Sequence, residues 1–307
     1  MECNVQLALS YKGPEPDREL VDWIRSGRVH GIVLFADNIV SVGRLADSVR
    51  KLKEISPQQL RIMIDEEGGR VRRLPHSLSP MPALSEYGKT GDACRAADDY
   101  GKVGRMLSGL GIDILLAPVL DIQTPRNAWL AERTFSAQPN KVAYMAQCVI
   151  NAIQGTGIAA CAKHFPGLGG VHDDLHLRQF IVDDDAPSIE QRDLVPFRAA
   201  IAAGVDSIMV AHAVYTHLDP TRPAVFSPII IGQLLRRQLG FAGDVLSDDL
   251  AMGAIRESMP IEQAIQLTVQ AGCNWLLVCN DRLLQRRAVA YVKQAGLSPC
   301  KKTVECH

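Results

Sequence analysis

The densest concentration of reactive side chains in this sequence is the run Lys163-His164-Phe165-Pro166-Gly167-Leu168-Gly169-Gly170-Val171-His172-Asp173-Asp174-Leu175-His176, which follows the apolar segment 157–162. An apolar run that ends in Lys-His and then passes into a proline, three glycines and an acid/imidazole cluster reads as a buried strand delivering titratable groups into a mobile loop. A histidine beside a carboxylate is suited to acid/base chemistry, because the carboxylate sets the tautomer and pKa of the ring. The segment Ser247-Asp248-Asp249-Leu250-Ala251-Met252 follows Val245-Leu246 and puts a carboxylate at the mouth of a second buried strand, where it can serve as nucleophile, base or metal ligand. Asp249 is read instead as the N-cap of the next helix. Asp65-Glu66-Glu67-Gly68-Gly69-Arg70-Val71-Arg72-Arg73 joins acids, a glycine pair and three arginines. Such a segment either binds sugar hydroxyls through carboxylate and guanidinium groups or forms a surface charge cluster of little energetic consequence.

Two other chemistries fit the same residues poorly. His164, His172, Asp173, Asp174 and His176 lie close in sequence, yet no His-Glu-x-x-His and no zinc-type Cys/His spacing occurs, and a Gly-rich loop is a poor preorganised cage, so no metal is expected. The Gly167-Leu168-Gly169-Gly170 stretch lacks the Gly-Lys-Ser/Thr of a phosphate loop and the G-x-G-x-x-G of a dinucleotide site. His172 reads as a solvated loop histidine.

The elements that must position these groups can be read from the apolar pattern. Short β-rich runs occur at 5–10, 31–35, 61–65, 112–119, 158–164, 207–212, 244–247 and 275–279. Between them, segments such as 17–28, 41–55, 92–109, 140–155, 188–203, 227–238 and 261–271 carry apolar residues at helical spacing. Eight strands alternating with helices predict an α/β fold, a single-domain (β/α)₈ TIM-type barrel, with a doubly wound sheet as the rival. In such a barrel the chemistry gathers at the C-terminal ends of the strands. Asp65-Glu66-Glu67, Asp121, Lys163-His164, His212 and Asp248-Asp249 all stand there. No linker or repeat marks a domain boundary, so 1–307 is read as one catalytic barrel, with 296–307 a loosely held tail.

Composition narrows the partners. The 307 residues are 47% apolar, enough for a large core. With 33 basic against 34 acidic residues there is no electrostatic footprint for nucleic acid or an anionic membrane surface, and a small uncharged substrate fits better. No apolar run reaches membrane-spanning length and the N-terminus has no signal-like pattern, so the expected location is the cytoplasm. The eight cysteines are scattered without ligand spacing and are read as reduced thiols.

Taken together, Ile64-Asp65-Glu66-Glu67-Gly68-Gly69-Arg70-Val71, Arg133-Thr134-Phe135, Lys163-His164-Phe165-Pro166-Gly167 with Asp174-Leu175-His176, and Ser247-Asp248-Asp249-Leu250-Ala251-Met252 resemble glycoside hydrolase family 3, in particular its bacterial β-N-acetylhexosaminidase branch. The resemblance runs from about residue 17 to 280. It implies a retaining exo-β-N-acetylglucosaminidase with Asp248 as nucleophile and His176 as acid/base paired with Asp174, the glycines letting the loop swing over the sugar and away. Asp65, Arg73, Arg133, Lys163 and His164 would hold a terminal N-acetylglucosamine. The implied substrates are peptidoglycan-derived muropeptides, N-acetylglucosaminyl-anhydro-N-acetylmuramic acid with or without peptide, as in cytosolic cell-wall recycling, and no cofactor is implied. The sequence departs from the family pattern at Leu168, usually histidine, and at Leu175, usually serine. A β-glucosidase or xylosidase of the same family is the nearest alternative, disfavoured by the Asp174-x-His176 loop. A non-catalytic sugar-binding protein is disfavoured by the intact Asp248, Asp174 and His176.

Overall fold

The computed structural model describes residues 5–174 and 179–297. In chain order the strands are β1 Gln6–Leu9, β2 Gly31–Leu34, β3 Arg61–Ile64, β4 Ile114–Leu115, β5 Ala159–Phe165, β6 Val171–Asp174, β7 Gln179–Val182, β8 Ser207–Val210, β9 Val214–Tyr215, β10 Asp219–Pro223, β11 Asp244–Ser247 and β12 Trp275–Val278. Eight of them close into an all-parallel barrel in the order β1-β2-β3-β4-β5-β8-β11-β12. Closure settles the choice against a doubly wound sheet, and every barrel strand coincides with one of the eight expected runs. No helix among the described residues is long and apolar enough to cross a membrane.

The strands read as continuous apolar runs because both of their faces are buried. One face of each strand feeds the core between barrel and helices, for example Leu7, Leu9, Ile32, Ile62 and Ile64. The alternate face fills the barrel with Ala8, Val33, Met63, Ile114, Cys161, Met209, Leu246, Trp275 and Leu277. Side chains two apart share a face, so the interior phase, carried to the C-terminal part of β5 and one step beyond the other strands, aims Phe35, Asp65, Lys163, Asp248 and Cys279 into the mouth of the barrel. A barrel that is solid below Met63, Cys161 and Leu246 therefore carries polar groups directly on top of its packed interior.

Three local expectations need correction. The run 112–119 yields only a two-residue strand. Pro118 has no N–H to give the ladder, and the chain rejoins β5 at Val119, which bridges Lys163, while Cys161 N and Lys163 N donate to the carbonyls of Ala117 and Pro118. The segment after Pro166, read as a mobile loop, contains β6, which pairs antiparallel with β7 and, through β9 and β10, forms a separate four-stranded sheet. Short length and a Gly/Asp/His composition concealed this strand. Its root is fixed by Gly167, whose φ of +120° and close approach to Asp193, 2.6 Å from the position a Cβ would take, exclude a side chain. Finally, Asp249 does not cap a helix: the next one, Gly253–Arg256, starts after Met252. Residues 175–178, with Leu175 and His176, and most of the expected tail, 298–307, lie outside the described residues.

Candidate active site

A pocket of about 280 Å³ opens at the C-terminal mouth of the barrel, lined by Phe35, Asp65, Glu67, Val71, Arg73, Arg133, Lys163, His164, Met209, Asp248, Asp249, Met252, Leu277 and Cys279 among others. Six of the residues singled out from the sequence, Asp65, Arg73, Arg133, Lys163, His164 and Asp248, are thus brought together. Asp174 lies at the end of β6, paired in register with Gln179, and His176 falls in the undescribed segment.

Lys163 organises the floor. Its side chain is 2% exposed, and its ammonium lies 2.7 Å from Asp65 Oδ1 and 2.7 Å from Glu67 Oε1. The Glu67 carboxylate, fully buried, also accepts two hydrogen bonds from Arg133, Nε and one terminal nitrogen each at 2.8 Å. Asp65 Oδ2 takes a third cation, Arg73, at 3.2 Å. Burial by itself would raise the Glu67 pKa, but Lys163 and Arg133 outweigh it and hold the group down at about 2. Desolvation likewise opposes the charge on Lys163, and Asp65 and Glu67 reverse it, so the ammonium is held above its ordinary range. Glu67 was part of a sequence motif without a role of its own. The signal for it was the interior phase, since it follows Met63 and Asp65 at intervals of two.

The neighbouring acids divide by environment. Glu66 points away from the pocket and ties down the 67–79 loop, accepting from Arg73 N at 2.8 Å, Leu74 N at 3.0 Å and Ser79 Oγ at 2.8 Å. The glycine pair serves the chain's own packing: Gly68, at φ +89°, leaves 2.5 Å between its Cβ position and the Pro82 carbonyl oxygen. Of the three arginines only Arg73 reaches the pocket. Arg70 donates to the Trp129 carbonyl and Arg72 contacts His76.

Asp248 follows Leu246 in the interior phase and receives the Asp249 backbone N–H at 2.8 Å. Loss of solvent pushes its pKa up, yet His212, His164, that N–H and Lys163 together bring it below the ordinary carboxylate range. Asp249 goes the other way. Burial raises it to about 6, only partly offset by the N–H groups of Cys279 and Ala251 that it accepts. Two residues at expected strand ends stand behind the pocket instead of lining it. His212 donates from Nε2 to the Asp249 carbonyl at 3.0 Å, and Asp121 sits 2.7 Å from His164 Nδ1. Leu168, the departure from the family motif, buries its side chain in the main core, while its N–H and C=O bond to Asp121 and Asn127. His172 is on β6, 3.8 Å from Asp183, and does not line the pocket. Among the described residues, no group of three or more His, Cys, Asp or Glu side chains is arranged to hold a metal ion, and the five cysteines are free thiols.

The model of the glycosyl hydrolase family 3 N-terminal domain matches residues 4–301. The chain belongs to glycosyl hydrolase family 3. A beta-hexosaminidase of Nitrosomonas eutropha is 35% identical over 259 residues, covering 82% of this chain and 74% of that protein. Among solved structures, NagZ of Neisseria gonorrhoeae in complex with N-trifluoroacetyl-D-glucosamine superposes with a TM-score of 0.86 at 30% identity, covering 98% of this chain and 87% of that one. A family 3 beta-N-acetylglucosaminidase from a Paenibacillus species gives a TM-score of 0.91 at 30% identity, and this chain spans 58% of its length. Within this family 3 barrel, the ion network generates a stability prediction. Glu67→Gln leaves buried Lys163 and Arg133 short of a counter-charge and should cost about 3–5 kcal/mol in denaturant titrations near neutral pH. Because Glu67 titrates at about 2 in the folded protein against an ordinary 4.5, its contribution is complete above that ordinary value and vanishes as pH falls toward 2. The gap between wild type and variant should therefore close over that interval and stay constant above it.

Proposed function

We propose that this family 3 hydrolase is a retaining exo-β-N-acetylglucosaminidase that removes terminal N-acetylglucosamine from muropeptides of peptidoglycan recycling in the cytoplasm. The observation that carries the reading is Asp248, a carboxylate kept ionised at the floor of a pocket with room for one sugar residue. The beta-hexosaminidase and N-acetylglucosaminidase relatives, and the glucosamine derivative bound by the Neisseria protein, support the sugar.

A retaining glycosidase requires an ionised nucleophile on one side of the anomeric carbon and a proton donor on the leaving oxygen. Asp248 fills the first role: its carboxylate attacks C1 as the glycosidic bond breaks, forming a glycosyl ester. His176 fills the second, giving its proton to the departing oxygen and afterwards taking one from the water that cleaves the ester, with Asp174 supporting the imidazolium. Asp65, Arg73, Arg133, Lys163 and His164 bind the sugar. Asp65 retains lone pairs beyond those used by Lys163 and Arg73, and Arg73 Nε is a buried donor without a partner among the described residues. A pocket already balanced by Lys163, Arg133 and Arg73 against Asp65, Glu67 and Asp248 suits an uncharged pyranose.

Asp248→Asn should abolish turnover while leaving the fold intact, since an amide fills the same volume and cannot form the ester. More than about a tenth of the wild-type rate, roughly 1.4 kcal/mol of barrier, would contradict the assignment, as would trapping of Asp249 by a 2-fluoro sugar in place of Asp248. His176→Ala should cripple cleavage of natural disaccharide fragments, whose alkoxide leaves poorly without a proton. Nitrophenyl glycosides need less help in the first step and should show a burst followed by slow deglycosylation, with Asp174→Asn a milder version. Equal losses on both substrates without a burst would place the acid/base elsewhere. Every role is taken by a side chain, so activity should survive exhaustive chelation. Loss that zinc restores would overturn that expectation.

A further inference from the structure

Asp121 takes no part in the proposed chemistry and does not line the pocket, yet its fully buried carboxylate serves two elements at once. Oδ2 lies 2.7 Å from Nδ1 of His164. Oδ1 accepts the backbone N–H of Leu168 at 2.9 Å and that of His164 at 3.4 Å. A carboxylate only accepts in such contacts, so Nδ1 of His164 carries a proton, and in the neutral ring Nε2 is then the acceptor left for the pocket that the ring lines. Leu168 is the middle residue of the short connection, 166–170, from β5 to β6. Its carbonyl is held from the other side by Asn127 at 2.9 Å, and the same Asn127 amide donates to the Ile122 carbonyl at 2.8 Å, in the segment that continues from Asp121.

We propose that Asp121 is a positioning residue that fixes the tautomer of the sugar-facing His164 and pins the root of the β6–β7 hairpin to the same carboxylate. The imidazole that meets the sugar and the strand that leads to Asp174 and His176 are then registered against one rigid group instead of moving independently. His164 presents an acceptor to a sugar hydroxyl; the other tautomer would present a donor and leave that hydroxyl's own proton without a partner. Distances of 2.7 and 2.9 Å to a fully buried acceptor make this a tight constraint. The inference rests on His164 contacting the sugar.

The test is Asp121→Asn, which keeps the shape but offers one acceptor oxygen. With that oxygen retained by the two backbone N–H groups, the amide nitrogen faces His164 Nδ1 and forces the proton to Nε2. In ¹⁵N-histidine NMR of the whole protein, wild-type His164 should show the Nδ1–H tautomer and Asp121→Asn the Nε2–H tautomer. On a GlcNAc glycoside KM should rise at least tenfold with a smaller fall in kcat, and in a His164→Ala background the same change should leave KM within twofold. An Nε2–H tautomer in wild type overturns the proposal without reference to any variant's folding. So do an unchanged tautomer in Asp121→Asn, or KM losses that simply multiply in the double variant. If wild type hydrolyses no GlcNAc glycoside, the functional reading fails while the tautomer measurement still decides the role of Asp121.

Discussion

Burying a lysine ammonium at the top of a packed barrel is the constraint on which the rest of this site depends. Lys163 follows Cys161 on the interior face of β5, with no solvent to share its charge, and the fold answers with two carboxylates at hydrogen-bond distance. One of them, Glu67, then needs Arg133, and the other, Asp65, takes Arg73. Four segments far apart in sequence are thereby locked together by charge-assisted hydrogen bonds: the end of β3, the loop after it, the turn that ends at Arg133, and β5. Removing Lys163 or Glu67, the two fully buried members, leaves buried charge without its partner, so the pocket's shape and the stability of the barrel mouth are enforced by the same contacts. A sugar entering this pocket meets groups whose positions are already set, which lowers the ordering cost of binding.

The adjacent acids Asp248 and Asp249 show how the same barrel mouth assigns opposite electrostatic characters to neighbouring side chains. Asp248 faces two histidines and Lys163 and stays low. Asp249, one step out of phase, turns toward β12, where backbone N–H groups of Cys279 and Ala251 hold it but burial lifts it to about 6. Both carboxyls are ionised near neutrality, so what favours Asp248 is its place in the interior phase facing the barrel mouth, whereas Asp249 is engaged by the N–H groups of Cys279 and Ala251 and ties the turn after β11 to its neighbour. His212 completes that tie through the Asp249 carbonyl.

The barrel was legible in the sequence because its strands are buried on both faces and so appear as unbroken apolar runs of the right number and spacing. Six pocket-lining residues were legible too, four of them, Asp65, Lys163, His164 and Asp248, at or just past strand ends, and Arg73 and Arg133 from the family resemblance. What the pattern concealed has physical reasons. β6 is short, polar and paired within a small side sheet, so neither alternation nor apolar content marks it. The interruption of β4 depends on Pro118, whose missing N–H matters only once the neighbouring ladder is known. The roles of Glu67 and Asp121 come from partners 96 and 43 positions away in the chain, Lys163 and His164, and no local pattern announces such pairings. The interior phase of the strands, Met63 to Asp65 to Glu67 and Leu246 to Asp248, is the one sequence-level signal that would have separated pocket residues from those behind them.

The central claim is that Asp248 forms a covalent ester with N-acetylglucosamine in this pocket, and its stereochemical consequence can be observed directly. Incubating the protein with a β-GlcNAc glycoside and following the first-formed sugar by proton NMR, before mutarotation, reports reaction, sugar and stereochemistry together. Two displacements at the anomeric carbon predict that β-GlcNAc appears first, with the α-anomer growing in only by mutarotation. Initial release of α-GlcNAc would mean direct attack by water and no ester on Asp248, and would contradict the account.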